Sequence, residues 1–193
     1  ERKNILNVSS ATVCVTCAGG TNQVTGIAGV TQLEGSATTT LQGLIQTMDG
    51  WYTTMPTSLE RVVVSPTILG GIIYFPSFIP STDICSASGT GNLYALFFLT
   101  GSAYKESVIG TTVVGSNTNV LRSMALGTAG LASQMAIHIG GQGSGAAGTT
   151  SSNGCAGRIT GFMQSSTGTL SQFCSKPAYA TWSRYISWIN QRE

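Results

Sequence analysis

The sequence predicts an all-β fold of short antiparallel strands with one short helix, on three observations. Charged residues make up only 8% of the 193-residue chain, against about a quarter in ordinary domains. Ser, Thr and 25 glycines stand in their place, and that glycine share is about twice the usual one. Apolar residues, many of them β-branched, still reach 41%, so the composition is that of strands joined by Gly-rich turns rather than of a disordered chain.

Along the chain, residues 1–37 alternate weakly and carry turn signals at Gly19-Gly20, Gly26, Gly29 and Gly35, which predicts short strands. Leu41, Leu44, Ile45, Met48 and Trp51 then recur at three- and four-residue spacing, the pattern of one helix face. The expected helix runs over about 40–50, capped by Thr39 or Thr40 at its start and by Gly50 at its end. Val62–Val64 lead through Ser65-Pro66 to Ile68-Leu69, the turn Gly70-Gly71, and Ile72–Phe75. This reads as strand, two-residue turn, strand, with the glycines supplying the positive φ that such hairpins need. Asn92–Leu99 and Ser102–Val108 flank the turn Thr100-Gly101 and complete four strands, the size of one β-propeller blade. Further on, Ser133–Ile139 is a strand and 140–154 a Gly/Ser/Thr/Ala loop. Arg158–Gln164 and Thr169–Cys174 form a hairpin around Ser165–Gly168, and Ala180–Ile189 is a closing strand. The expected organisation is an N-terminal part, 1–60, followed by propeller-like blades over 61–193 that form only a partial propeller.

Several function classes drop out on composition. A formal charge of +2 from nine Lys and Arg and seven acids, with no basic stripe, gives no nucleic-acid surface. The most apolar run, Val62–Pro80, is broken by Pro66, Gly70, Gly71, Pro76 and Pro80, so no membrane span is expected. The chain starts at Glu1 without a signal segment, as expected of a processed chain or excised fragment.

Cys14, Cys17, Cys85, Cys155 and Cys174 lie among Thr, Ser and Gly, a setting that suits an oxidising, extracellular compartment. Cys14-Val-Thr-Cys17 lacks the following His of a haem site, because Ala18 is there, and lacks the second Cys or His pair of a zinc site. A local or cross-strand disulfide is expected instead. Cys155 and Cys174 flank the last hairpin and are expected to pair across it. Cys85 is then the odd thiol, free or joined to another chain. His138, the sole histidine, lies out of phase with Met135, Ile137 and Ile139, and no acid falls between Glu106 and Glu193. It is read as structural or surface, so no catalytic residue is assigned. Trp51, Trp182 and Trp188 are read as packing residues rather than an adhesive patch. Asn7-Val8-Ser9 matches a glycosylation acceptor.

The stretch RVVVSPTILGGIIYFPSF … GTGNLYALFFLTGSAY resembles the repeat of quinoprotein-like propellers. It is preceded by DGWYTTMP, interrupted by FIPSTDICSASGTGNLYAL, and followed by LASQMAIHIG … GRITGFMQSSTGTL and a Trp-containing tail. In that order these segments resemble the C-terminal half of PilY-type proteins over roughly residues 41–193. The resemblance implies a non-enzymatic, extracellular or pilus-associated module of type IV pilus assembly or tip adhesion. The implied partners are minor pilins or the remainder of a parent propeller chain. A structural subunit of an extracellular filament, self-assembling through strand edges, is the alternative. PilY-type propellers carry an Asp-rich calcium loop, whereas this chain has only Asp49 and Asp83, far apart. Calcium needs six or more clustered oxygen ligands, so no metal or cofactor is expected in this segment, and a family calcium site would lie outside it. A quinoprotein dehydrogenase fits badly, since its chemistry needs a carboxylate and a divalent cation, and Tyr104 stands where such blades often have Trp.

Overall fold

The computed structural model describes residues 4–83, 89–138, 159–176 and 178–179. Among them the chain forms fifteen strands and one helix, and the fold is all-β. The strands are β1 (Ile5–Asn7), β2 (Thr12–Cys17), β3 (Gly20–Thr25), β4 (Gly50–Tyr52), β5 (Thr67–Leu69), β6 (Ile72–Pro76), β7 (Ile79–Pro80) and β8 (Gly89–Thr90). They continue as β9 (Asn92–Phe97), β10 (Thr111–Val114), β11 (Asn117–Val120), β12 (Ser123–Ala125), β13 (Ala136–His138), β14 (Ile159–Gln164) and β15 (Leu170–Ser175). Helix α1 spans Leu41–Gln46.

Two four-stranded sheets carry the architecture, ordered β10-β11-β2-β3 and β12-β9-β6-β5. A three-stranded sheet, β13-β14-β15, and two two-stranded ladders, β1-β4 and β7-β8, complete it; the sheets stay open. Every pairing is antiparallel except β1 with β4. The first sheet joins β2 and β3, from before residue 60, to β10 and β11 from beyond it.

β6 and β9 form the centre. One face carries Ile72, Tyr74, Leu93, Ala95 and Phe97 into a core shared with Tyr104, Val108, Met135, Met163 and Phe173. The other carries Phe75, Tyr94 and Leu96 against Trp51, Met55 and Ile73. Burial on both faces explains why IIYFP and NLYALF read as continuous apolar runs rather than alternating strands. A separate core of Val8, Val13, Val24, Leu33, Leu41 and Ile45 lies under the first sheet and includes Ala103 and Val120.

The hairpin between β5 and β6 forms as expected, with Gly70 and Gly71 both at positive φ, 53° and 82°, the conformation of a two-residue turn that matches strand twist. The hairpin between β14 and β15 also forms around Ser165–Gly168. Four expectations need correction. The helix is shorter than 40–50. Thr40 caps its start, but Thr47 N–H and Met48 N–H bond three residues back, to Leu44 and Ile45 carbonyls, and close it early. Asp49 N–H then bonds to Asn4 O at 2.8 Å, which draws Gly50 and Trp51 into β4 beside β1. Val62–Val64 form no strand; Val62 and Val63 are exposed, and the ladder starts only at Thr67. Ser102–Val108 is likewise not a strand, because Ser102, Ala103 and Tyr104 are buried in succession instead of alternating. The fourth strand of the central sheet is β12, which pairs with β9 through Ser123↔Tyr94. Finally, β10 and β11, turning at Gly115-Ser116, occupy a stretch for which no strand is expected. The 140–154 loop and the Ala180–Ile189 strand lie outside the described residues.

Gly101 shows how tightly the turn after β9 is held. Its φ is +64°, and a Cβ there would stand 2.3 Å from Cε3 of Trp51. The Trp51 Nε1–H donates to Phe98 O at 3.0 Å, so the indole has no free direction in which to retreat. Gly101→Ala is expected to cost about 2–3 kcal/mol through backbone strain and overpacking. That lowers Tm by roughly 5–10 °C for a chain of this size, as read by calorimetry or circular dichroism. An unchanged Tm would refute the packing described.

Candidate functional site

Sequence patterning marks no buried charge, yet the structure holds one. Glu60 is 9% exposed and follows Leu59, a non-glycine residue at φ +64°. A left-handed leucine costs on the order of 1–2 kcal/mol, and here it turns Glu60 inward. Glu60 Oε1 accepts from Ser77 Oγ, from Asn92 Nδ2 at 3.0 Å and from Tyr94 OH at 2.8 Å, and Oε2 accepts from Thr57 N–H at 3.3 Å. Ser77 Oγ in turn accepts from Asn92 N–H at 3.2 Å. Arg61 and Phe78 exchange backbone bonds alongside, at 2.9 and 2.8 Å. The segment 57–61 is thereby fastened to the end of β6 and the start of β9.

Burial raises the Glu60 carboxyl, but the bonds from Ser77, Asn92, Tyr94 and Thr57 outweigh it and hold it below its ordinary value. Burial, and after it the bond to Glu60, push the Tyr94 phenol up, so it stays a donor to the carboxylate at neutral pH. Burial likewise raises the Tyr74 phenol, against the opposing bond to Ser175. A carboxylate whose two oxygens accept four hydrogen bonds acts as a clamp that fixes the surrounding segments.

The residues singled out in the sequence fall into place separately. Cys14 and Cys17 are disulfide-bonded, with Cα atoms 5.9 Å apart. Three residues of extended chain span about 10 Å. The shortening comes where the pairing register of β2 against β11 shifts between Thr118 and Asn119, a bulge that bends the strand. Cys174 is also disulfide-bonded, while Cys155 and Cys85 lie outside the described residues, as do Trp182 and Trp188. Trp51 is a packing residue between two of the cores. His138 is exposed on β13, one position out of phase with Met135 and Ile137. Asn7 is exposed at the end of β1, and its Oδ1 accepts from Ser9 N–H at 3.0 Å and Ser9 Oγ–H at 2.6 Å. Asp49 and Asp83 join no cluster of metal-ligating groups among the described residues. No helix there is long and apolar enough to cross a membrane.

Several of the most exposed apolar side chains lie on strand edges. β10 is the outer strand of its sheet, and all four of its residues are exposed, Val113 to 70% and Val114 to 60%. No charged residue falls between Glu106 and Arg122, so the edge lacks the Lys and Glu that commonly guard such strands. Among the described residues, no backbone bond reaches the outer side of β10. β5, at the edge of the central sheet, exposes Ile68 to 65%.

In comparisons with known proteins, no family model, no curated protein and no solved structure matches this chain.

Glu60 yields a signed prediction. Its folded pKa is depressed, so its contribution is present above its ordinary 4.5 and is lost as the pH falls through the folded value. Glu60→Gln is expected to be less stable by about 1–3 kcal/mol at pH 7. Denaturant melts at stepped pH should show the gap closing on acidification below pH 4.5, and a gap independent of pH would refute the charged clamp. Non-reducing peptide mapping is expected to recover Cys14 linked to Cys17 and Cys155 linked to Cys174. Recovery of Cys174 linked to Cys85 would reject the second pairing.

Proposed function

We propose that this chain is a non-enzymatic, extracellular module of type IV pilus assembly or tip adhesion, similar to the C-terminal part of PilY-type propellers. On this reading the central sheet corresponds to one blade of an incomplete propeller, joined to minor pilins or to the rest of a parent chain through strand edges. The observation that carries it is the uncharged, exposed edge strand β10, with Val113 and Val114 pointing to solvent. Exposed flat edges pair with another chain, and main-chain bonds supply the affinity. The expected blade motif supports the reading too: the Gly70-Gly71 hairpin runs into the buried NLYALF strand. So does chemistry, since His138 stands exposed without an acid near it in sequence and Glu60 is wholly committed to hydrogen bonds. The disulfide Cys14–Cys17 suits an oxidising, cell-surface location.

The same edge favours one alternative, a structural subunit of an extracellular filament that pairs with its own copies. Light scattering after size exclusion, with co-sedimentation on purified type IV pili, separates the two. Pilus binding by the wild-type chain, abolished by Val113→Lys, is the expected result. Open-ended self-association without pilus binding would favour the filament subunit. A cooperatively melting monomer that binds no pili and is unaffected by Val113→Lys would sink both.

A further inference from the structure

Where the two four-stranded sheets meet, the chain leaves β11 and enters β12 past a cleft of about 200 Å³. Thr12, Thr112, Asn119, Arg122 and Ser123 line it. The register explains the polar wall. Thr112 faces Asn119 directly, and Asn119 faces Cys14, two residues from Thr12. These residues share the face of the sheet opposite Val13, Val24 and Val120, which are buried. The side chains of Thr12, Thr112, Asn119 and Ser123 make no hydrogen bond to other described residues. Their donors and acceptors therefore face solvent in the cleft.

Arg122 is the one charged group in the lining, and it is half-buried. Its backbone is fixed, because its carbonyl accepts from Ala95 N–H at 2.9 Å. Its guanidinium makes a single bond, to Val8 O at 3.3 Å, and forms no ion pair among the described residues. A guanidinium offers five N–H donors in a planar fork that matches a carboxylate. A partly desolvated, unpaired arginine beside hydroxyl and amide groups is the chemistry of a site for a small polyhydroxylated anion. The space sets the scale: at roughly 30 Å³ per water it holds about six or seven waters, room for about one sugar ring.

We propose that this cleft binds a single acidic sugar residue, with Arg122 taking the carboxylate and Thr12, Thr112, Asn119 and Ser123 the hydroxyls. The choice of a glycan rests on the reading of the chain as an adhesion module, while the anion chemistry rests on the cleft alone.

Titration of the purified chain with glucuronic acid and N-acetylneuraminic acid, followed by calorimetry or NMR shifts, tests it against glucose and inorganic phosphate. Saturable binding of at least one acidic sugar is expected, with glucose and phosphate at least tenfold weaker. Arg122→Gln should weaken the acidic sugar at least tenfold, and Thr112→Val, at an exposed position, two- to fivefold without changing the melt. Equal binding of phosphate would reduce the cleft to an adventitious anion patch. No binding of either sugar, or full affinity in both variants, would overturn the proposal. Val113 lies on the other face of β10 from Thr112, so the two readings fail separately: a wild-type chain that binds pili but neither sugar overturns the cleft alone, and one that binds an acidic sugar but no pili overturns the pilus reading alone.

Discussion

The pairing of β6 with β9 anchors two of the three cores among the described residues. Five consecutive residue pairs, from Ile72↔Phe97 to Pro76↔Leu93, hold these strands together, and both of their faces are covered. At about 25 cal/mol per Å² of apolar surface removed from water, two strands buried on both sides contribute strongly to stability. Phe75 and Tyr94 illustrate the economy of the arrangement. They are direct cross-strand partners and stack with ring centroids 5.1 Å apart, while the Tyr94 hydroxyl at the ring's far end fastens Glu60. One residue thus contributes to the ladder, to the apolar core and to the polar clamp.

The scarcity of charge shapes how the loops are secured. Two ion pairs, Lys105 with Glu34 and Lys176 with Glu106, tether the segment after β9 to distant parts of the chain. Both are exposed, and such pairs are worth little individually. Hydroxyl groups carry more of the burden. Thr40 caps α1 and also donates to the Gly35 and Ala37 carbonyls, at 2.9 and 2.8 Å. Tyr74 and Ser175 meet at 2.6 Å in the core and link the central sheet to β15. Neutral bonds of this kind are insensitive to salt, which suits a protein read as working outside the cell.

How much of this was legible depended on whether a signal was local. Gly70-Gly71 and Ser165–Gly168 announce their hairpins because turn chemistry is written in adjacent residues. The run NLYALF announces a buried strand. Trp51 misled, since it completes a helical spacing with Leu41, Leu44 and Met48, but the bond from Asp49 N–H to Asn4 O, 45 residues apart, and the pairing of Trp51 with Leu6 decide its state. Ser102–Val108 misled for a similar reason: its partner on Phe97 is the Tyr104 ring, at 4.8 Å, not a strand. Glu60 and Arg122 were invisible as site residues. Each is a lone charge in an unremarkable context, and its significance comes from groups 17–34 and 114 residues distant. The exposed β10 edge had a faint signal, the absence of charge between Glu106 and Arg122.

The way the two main sheets share one segment has a consequence for how the chain comes together in time. Residues 111–120 return to pair with β2, and 123–125 then turn to pair with β9. The first sheet therefore cannot be finished until residues about a hundred positions further along the chain have arrived. Contacts of such separation close slowly, since the loop entropy is lost before any pairing repays it. While the N-terminal hairpin of β2 and β3 waits, the side of β2 that β11 will cover stands open, in a chain with few charges to keep neighbours away. The vulnerable interval lies in synthesis, before the native edge at β10 exists at all, and a holding partner has most to offer then.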